Sequence, residues 1–250
     1  MQSARLVLAP PHPAGLPFLL AAGLAALLLA LVSLWLSGLA VLVLLFCLYF
    51  FRDPERVAPP RPGLLLAPAD GHVTEIAQIA PPAELGLGEA PRWRIATFLS
   101  VLDVHVNRMP AEGVVTRIAY RHGKFLNASL DKASEANERN ALAIRLPDGA
   151  EIAVVQIAGL IARRIVCSVR QGQAVQPGER FGLIRFGSRT DLYLPHGAQP
   201  LVAVGQTMVG GETVMAEWPP RPTTAPSATP TTQPGTQPGT QPGANEQGLP

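Results

Sequence analysis

Cysteine is scarce in this sequence, and its two cysteines form no pattern typical of a disulfide framework or a redox pair. Cys47 lies in an apolar run and Cys167 lies in a predicted buried strand, without a CxxC spacing. We therefore expect free thiols and a reducing compartment. The five histidines show no zinc-binding spacing such as HExxH, so the sequence predicts no metal site.

Charge of either sign is also scarce, since only 15% of the residues are charged and the formal net charge is +2. A protein that binds nucleic acid through its backbone phosphates needs a basic patch or stripe. No such stripe is visible, and we therefore expect no nucleic-acid partner.

Charged residues are absent from Gly15 to Phe51. About 20 apolar residues suffice to cross a bilayer, whereas the apolar core of a signal peptide has only about 7–15. We therefore interpret the run as a membrane segment. Serine and glycine near its middle favour two short helices, about 16–33 and 38–51, that form a transmembrane hairpin. One long tilted helix is the alternative.

Basic residues flank this run unevenly. Arg5 precedes it, whereas Arg52, Arg56 and Arg61 follow it. Because basic residues mark the cytoplasmic side of a membrane, we predict that the bulk of the chain faces the cytoplasm from the cell (inner) membrane. We expect the three following arginines to lie among anionic lipid phosphates.

The rest of the chain is a series of short apolar stretches between Gly, Pro and Asp turns. This spacing predicts a mainly β fold. The predicted strands are 72–79, 93–101, 114–120, 141–146, 151–158, 161–169, 181–186, 190–194, 201–204 and 213–217. The predicted organisation is a lead (1–14), the membrane segment (15–51), a Pro-rich joint (52–63), a β-rich domain (64–218) and a disordered tail rich in Pro, Thr, Gln and Gly (219–250).

Two stretches of the β region repeat a turn pattern. Val169 to Ile184 has turn glycines six residues apart, and Val204 to Val214 is an imperfect echo. The pattern resembles the hammerhead turns of lipoyl- and biotinyl-type domains and predicts a barrel-sandwich-like fold. Those domains carry their cofactor on a lysine at a hairpin tip. The two lysines, Lys124 and Lys132, lie in no such hairpin, so we expect no swinging arm.

A Gly-Ser corner, Gly187-Ser188, follows the predicted strand 181–186. A serine hydroxyl held against the preceding carbonyl can attack it and turn the amide into an ester. Elimination then breaks the chain and leaves a pyruvoyl group at the new N-terminus. Gly-Ser pairs are also common in ordinary turns, so the dipeptide alone does not decide between the two interpretations.

Two further segments offer polar side chains for catalysis. Asp70 lies in a Pro-Ala-Asp-Gly turn, where it either serves the turn or acts as an acid. Asp103, His105 and Asn107 share one face if their segment is extended, because side chains alternate along a strand. A surface-facing edge strand is the alternative interpretation.

Five motifs follow one another along the chain. They are Phe50-Phe51-Arg52-Asp53-Pro54-Glu55-Arg56, Pro68-Ala69-Asp70-Gly71, Asp103-Val104-His105-Val106-Asn107-Arg108-Met109-Pro110, Asn137-Glu138-Arg139 and Gly182-Leu183-Ile184-Arg185-Phe186-Gly187-Ser188. These motifs and their order resemble those of phosphatidylserine decarboxylase proenzymes, and most closely the short bacterial branch of that family. The resemblance covers roughly residues 48–217.

The resemblance implies that the chain cleaves itself between Gly187 and Ser188 and carries a pyruvoyl group derived from Ser188. It implies decarboxylation of phosphatidylserine to phosphatidylethanolamine through a Schiff base between that pyruvoyl group and the serine amine. Asp70 matches the acid of the family's Asp-His-Ser triad. The two cleaved chains are expected to stay associated at the membrane, with a homodimer as one possible assembly.

The histidine of the triad is left open by the resemblance. Longer members carry His-x-x-His-Met-Pro, and here the second histidine is replaced by Arg108. Either His105 serves both cleavage and decarboxylation, as general base and general acid with a pKa near neutral, or Arg108 and Asp70 share the first task. The alternatives in function are decarboxylation of another seryl lipid, such as archaetidylserine, and a non-enzymatic membrane-anchored barrel-sandwich module.

Substrate binding is assigned to four polar residues, Asn107, Arg108, Arg139 and Arg189. Arg163 and Arg164 are further candidate phosphate ligands, together with Arg189. The polar segment 127–140 is predicted to be a loop that covers the lipid head group.

Overall fold

The computed structural model of the chain describes residues 9–123, 137–159, 164–185 and 187–219. The helices are α1 (Leu16–Ala30) and α2 (Leu34–Phe50). The strands are β1 (Leu64–Leu66), β2 (Gly71–Ile79), β3 (Arg92–Leu99), β4 (Val106–Arg108), β5 (Gly113–Arg121), β6 (Arg139–Arg145), β7 (Glu151–Ala158), β8 (Ile165–Cys167), β9 (Ala174–Val175), β10 (Arg180–Ile184), β11 (Ser188–Tyr193), β12 (Thr207–Met208) and β13 (Val214–Glu217).

The two apolar helices pack against each other, and the Ser37 hydroxyl donates to the Ala26 carbonyl across them at 2.9 Å. By length and composition, the helical stretch Pro13–Ala30 is able to cross a membrane. Helix α2 has 17 residues and spans about 25 Å, less than the roughly 30 Å hydrocarbon core of a bilayer. The predicted helices therefore exist, whereas the membrane hairpin remains a prediction.

An eight-stranded antiparallel sheet, in the order β12-β2-β3-β11-β7-β6-β5-β9, forms the centre of the molecule. Its strands all contribute to one apolar cluster, from Met208 of β12 at one end to Val175 of β9 at the other. A sheet whose two ends reach the same core must curl around it. The predicted mainly β architecture is therefore confirmed.

Strand β11 lies in the middle of this sheet, bonded to β3 on one side and to β7 on the other over its whole length. Side chains alternate between the two faces of a strand. Leu192 packs in the central core, so Ser188 and Thr190 face the same inner side. Arg189 and Asp191 consequently face the outer side.

A second sheet, β4-β10-β8, packs against the base of the helices. Phe50 and Phe51, at the end of α2, form one buried cluster with Val104, Val106 and Leu183. The helix ends that lie nearest the β region are therefore joined to it through an apolar contact.

The repeated glycine pattern has a structural counterpart. Gly172 and Gly205 both have positive φ angles and donate to carbonyls of β5 and β2. Gly178 and Gly211 also have positive φ angles and donate to the residues that directly follow β4 and β1. The two segments thus make equivalent turns, although their classification as hammerhead hairpins remains a prediction.

Several predicted strands differ from the observed ones. No strand forms at 201–204, which was predicted as one, because these residues belong to the turn before β12. The predicted strand 181–186 ends at Ile184 as β10. Residues 161–163 of the predicted strand 161–169 lie outside the described residues, and β8 covers Ile165–Cys167.

The segment after α2 joins the helices to the smaller sheet, β4-β10-β8, through charged side chains. The Arg52 guanidinium donates to the carbonyls of Tyr49 and Leu102, each at 2.7 Å. The Asp53 carboxylate accepts from Arg108 at 3.2 Å and from Arg180 at 2.7 Å. These contacts hold the end of α2 against the turn before β4.

These contacts correct the prediction that the arginines after the apolar run lie among lipid phosphates. Arg52 is buried and bound to carbonyls, and Arg56 is bound to Asp70 at 2.7 Å. Arg61 is more exposed and pairs with Glu217. Their sequence position beside the apolar run did not reveal these internal partners.

Replacing Asp53 by alanine is expected to destabilise the protein, because Arg108 would keep a buried charge without its carboxylate. Loss of one partner from such a pair costs about 3 kcal/mol. Chemical unfolding in detergent micelles measures this change. Glu89→Ala, at an exposed site, is the control and should change the free energy of unfolding by less than about 0.5 kcal/mol. Equal stabilities for the two variants would contradict the structural role of Asp53.

Candidate active site

The corner between β10 and β11 contains the Gly-Ser pair. β10 ends at Ile184, and β11 begins at Ser188. Gly187 has a φ of 68°, in the left-handed region that glycine adopts without steric penalty. Phe186 lies outside the described residues. The Gly-Ser prediction therefore coincides with a sharp reversal between the two sheets.

The carbonyl of Gly187 has a hydrogen-bond donor. The backbone N–H of Gly159 donates to this oxygen at 3.1 Å. Gly159 directly follows β7, which pairs with β11. A donor aimed at a carbonyl oxygen stabilises the negative charge that develops there when a nucleophile attacks.

The Ser188 side chain is fully buried. Its hydroxyl oxygen has no hydrogen-bond partner within the described residues, and neither have the hydroxyls of Thr97 and Thr190. Thr97 and Thr190 are direct cross-strand neighbours, and Thr190 faces the same side as Ser188. Buried polar groups without partners are uncommon and mark functional sites, so this patch is a candidate site on the inner face of the sheet.

His105 reaches this corner from the turn before β4. Its Nε2 accepts from the backbone N–H of Gly187 at 3.3 Å, and its Nδ1 lies 2.9 Å from the Asp103 carbonyl oxygen. A carbonyl only accepts, so this pattern assigns the proton to Nδ1 and a lone pair to Nε2. The ring packs 4.3 Å, between centroids, from Phe50.

Burial lowers the pKa of His105 to about 4. Arg52 lowers the pKa further, whereas the carbonyl and charge of Asp103 oppose the effect. The expectation of a near-neutral pKa was therefore wrong for the uncleaved chain, because the sequence did not reveal the apolar contact with Phe50. At neutral pH the imidazole is uncharged and able to accept a proton at Nε2.

Asp70 lies at the same end of the sheet as Ser188. His72, Phe98 and Arg189 are aligned across β2, β3 and β11, so the starts of β2 and β11 are two strands, or about 10 Å, apart. The Asp70 carboxylate accepts from Arg56 at 2.7 Å and from the Gly210 N–H at 2.8 Å.

Burial raises the pKa of Asp70, although Arg56 and the Gly210 N–H oppose the rise. The carboxylate contacts neither His105 nor Ser188 among its hydrogen bonds within the described residues. Its assignment to a triad therefore remains a prediction.

Asn107 belongs to a buried chain of amides. Its Oδ1 accepts from Gln156 at 2.7 Å, and the Gln156 Oε1 accepts from Asn140 at 2.8 Å. β4 begins only at Val106, so the strand does not extend to Asp103 and His105, and their common face with Asn107 remains a prediction. The Asn107 Nδ2 is buried and has no partner within the described ranges.

The other predicted substrate ligands are engaged elsewhere. Arg108 donates to Asp53 and to the carbonyls of Pro54 and Gly178. Arg139 pairs with Glu84, and Arg189 pairs with Asp191 at 2.6 Å. The structure does not bring these three guanidinium groups to Ser188. Arg163 and residues 127–136 of the predicted loop lie outside the described residues.

Some residues of the site were missed by the sequence analysis. Gln156 is the one polar residue between Ile152 and Ala158, a signal that was available. Gly159 acts through its backbone, which no side-chain pattern reveals. In the described part of the chain, no group of three or more metal-binding side chains occurs.

Comparison with known proteins decides the family. The profile of the family described as phosphatidylserine decarboxylase matches residues 43–216. The chain belongs to this family. A phosphatidylserine decarboxylase proenzyme of Granulibacter bethesdensis is 67% identical over 220 residues, which cover 88% of this chain and 90% of the relative.

Two further relatives carry the same name. The protein of Gluconacetobacter diazotrophicus is 66% identical, over 86% of this chain and 98% of the relative. The protein of Gluconobacter oxydans is 63% identical, over 87% of this chain and 98% of the relative. The phosphatidylserine decarboxylase family predicted from the five motifs is therefore confirmed.

In a Ser188→Ala precursor, His105 is expected to stay neutral until the pH falls to about 4. An unfolded histidine binds its proton near pH 6.5, so the precursor loses stability as the pH falls from there towards 4. NMR titration of isotope-labelled histidine measures the midpoint, and a second variant that also carries His105→Gln assigns the signal. A midpoint near 6.5 would show that the ring is not desolvated.

Proposed function

We propose that this chain is a phosphatidylserine decarboxylase that forms its own pyruvoyl group by cleavage between Gly187 and Ser188. It then converts phosphatidylserine to phosphatidylethanolamine. The observation that carries the proposal is the Gly187-Ser188 corner itself. There, the Gly159 N–H holds the carbonyl oxygen and the neutral His105 ring lies beside the same residue. Relatives of the same family and similar length carry this activity in their names.

Self-cleavage begins with attack of the Ser188 hydroxyl on the Gly187 carbonyl carbon. His105 Nε2 takes the hydroxyl proton, and the Gly159 N–H stabilises the negative charge on the carbonyl oxygen. The carbon–nitrogen bond breaks as the ester forms, and the proton passes to the freed Ser188 nitrogen. Loss of the Ser188 α-hydrogen then expels Gly187 as a carboxylate, and water replaces the remaining nitrogen, which leaves as ammonia.

The surroundings of Ser188 fit the pyruvoyl group. The position is fully buried, and the unpartnered hydroxyls and the Asn107 Nδ2 offer polar contacts on the inner face of the sheet. The carbonyl of a pyruvoyl group withdraws electrons from a bound amine, so that a neighbouring carboxylate leaves as carbon dioxide.

His105 serves both stages in this proposal. In the precursor its low pKa keeps the imidazole neutral, so that Nε2 is able to accept a proton. Cleavage creates a carboxylate at Gly187, the residue that His105 contacts, and a nearby negative charge raises the pKa of an imidazole. The ring then becomes able to hold a proton and to donate it to the substrate carbon after carbon dioxide leaves. Arg108, bound to Asp53, is not needed for either stage.

The two cleaved chains remain associated because the smaller one supplies the middle of the sheet. Strand β11 begins at Ser188 and is bonded to β3 and β7, both of which belong to the larger chain. Separation would expose buried backbone groups of three strands, at a large free-energy cost.

We place this enzyme at the inner face of the cell membrane, with the β region (64–218) in the cytoplasm. One N-terminal helical stretch has the length and composition of a membrane span. Phe50, at the end of the second apolar helix, contacts His105, which supports a position of the catalytic ring close to the lipid head group.

Replacement of Ser188 by alanine is expected to abolish decarboxylation, because the hydroxyl that forms the pyruvoyl group is lost. The test is to incubate the purified protein with phosphatidylserine vesicles and to identify the product head group by mass spectrometry. Ser168→Ala, an exposed serine, is the matched control and should retain activity. Continued formation of phosphatidylethanolamine by Ser188→Ala would refute the site, and activity only on another seryl lipid would refute the substrate.

Replacement of His105 by glutamine is expected to slow self-cleavage by about 100-fold or more, the usual contribution of a general base. The fraction of cleaved chain is followed by gel electrophoresis after synthesis in a cell-free system. Arg108→Gln removes no proton acceptor from the site and should cleave much faster than His105→Gln. If Arg108→Gln cleaved slowly and His105→Gln cleaved at the wild-type rate, His105 would not be the general base.

A further inference from the structure

Two arginines lie side by side at the rim of the active site. The Arg185 N–H donates to the Arg164 carbonyl at 3.2 Å, directly beyond the paired residues Ile184 and Ile165. The Ile184 N–H donates to the His105 carbonyl at 3.4 Å. Arg185 is also two residues before Gly187. The pair therefore adjoins both the cleavage point and the catalytic histidine.

Neither guanidinium group has an acidic partner within 4.0 Å among the residues that the structure describes. The Nε of Arg185 is buried and has no hydrogen-bond partner within those residues. Burial, and then the charge of Arg164, lower the pKa of Arg185. By contrast, Arg56 and Arg108 each contact a carboxylate. Two adjacent cations without an anion repel each other, and a bound anion would relieve that repulsion.

The aromatic base of the helices supports this pair. The Arg185 guanidinium lies 5.0 Å above the ring of Phe18, a cation–π contact. Phe18 stacks on Phe51 at 5.4 Å, and the adjacent Phe50 packs on His105. One aromatic cluster thus positions both the cationic pair and the catalytic ring.

The surface near this cluster is suited to a bilayer interface. Leu102 is 60% exposed, and its carbonyl accepts from Tyr49 and Arg52 at the end of α2. Arg164 is exposed and Arg185 is half-buried. An apolar rim with two cations is what a lipid with an anionic head group requires.

We propose that Arg164 and Arg185 bind the phosphodiester of the lipid substrate and so select a phospholipid over other seryl compounds. This inference rests on the proposed decarboxylase function. In phosphatidylserine, two carbon atoms and one oxygen separate the amine nitrogen from the phosphorus. An amine held at residue 188 therefore leaves the phosphodiester close by, at the rim where the two arginines lie. Guanidinium groups match phosphate oxygens with paired hydrogen bonds.

The test compares two substrates in the full-length enzyme in detergent micelles. One is a short-chain phosphatidylserine, and the other is an O-alkyl serine that has the amine and carboxylate but no phosphate. Arg164→Gln, Arg185→Gln and the double variant are compared with Arg170→Gln. Arg170 is an exposed arginine beside the turn that leads to β9, at the end of the sheet remote from Ser188.

The double variant is expected to lose about tenfold or more in kcat/KM for phosphatidylserine, mainly through KM, because charge-assisted hydrogen bonds to the phosphate are lost. Its kcat/KM for the O-alkyl serine should change by less than about twofold, and Arg170→Gln should resemble the wild type with both substrates. If the wild type turns over no O-alkyl serine, the assignment is decided by KM for phosphatidylserine, which should rise in the double variant and stay unchanged in Arg170→Gln. An equal loss for both substrates, or no loss for either, overturns the assignment.

Two controls distinguish a lost phosphodiester site from misfolding and from general anion binding. Intact mass measurement must show that every variant is cleaved, so that folding and pyruvoyl formation are preserved. Inorganic phosphate and glycerophosphoethanolamine are compared as inhibitors at constant ionic strength, and equally strong inhibition by inorganic phosphate would overturn a phosphodiester site. A wild type that neither cleaves nor decarboxylates would refute the proposed function itself, an outcome distinct from unchanged kinetics in the variants.

Discussion

The pairing of β11 with β3 and β7 determines the geometry of the site. Both sides of β11 are bonded from Ser188 to Tyr193. A slip of one residue would move every side chain of the strand to the opposite face. Ser188 would then lie outside and Arg189 inside. The register therefore places the serine in the buried inner face and presents the Gly187 carbonyl to the N–H that follows β7.

A second constraint connects this sheet to the apolar helices. Phe50 packs on His105, and Phe18 lies under Arg185. Asp53, three residues beyond the end of α2, binds arginines of β4 and β10. The helices therefore support His105 through an apolar contact. In the proposed enzyme, this arrangement places the lipid head group, the imidazole and the cleavage point on one side of the molecule.

The sequence predicted the mainly β architecture, the Gly187-Ser188 corner and the family, because turn spacing and motif order are local properties. It did not predict the donor at Gly159 or the amide partner of Asn107, because both depend on strands that are distant in sequence. Arg189 was assigned to the substrate, but it faces the side of the sheet opposite to Ser188, because side chains that are adjacent in a strand alternate between its faces. Arg52 and Arg56 were assigned to lipid phosphates from their position after the apolar run. Their internal partners are distant in sequence or are backbone carbonyls, and a linear pattern does not reveal them.

The most direct test of the account is the intact mass of the purified wild-type protein. The account predicts two chains, residues 1–187 and a piece of 63 residues (250 − 187). The smaller piece should begin with a pyruvoyl group, whose mass is lower than that of a serine N-terminus and which resists Edman degradation. A single full-length chain with an ordinary Ser188, in a preparation that is folded and incubated with lipid, would contradict the central claim.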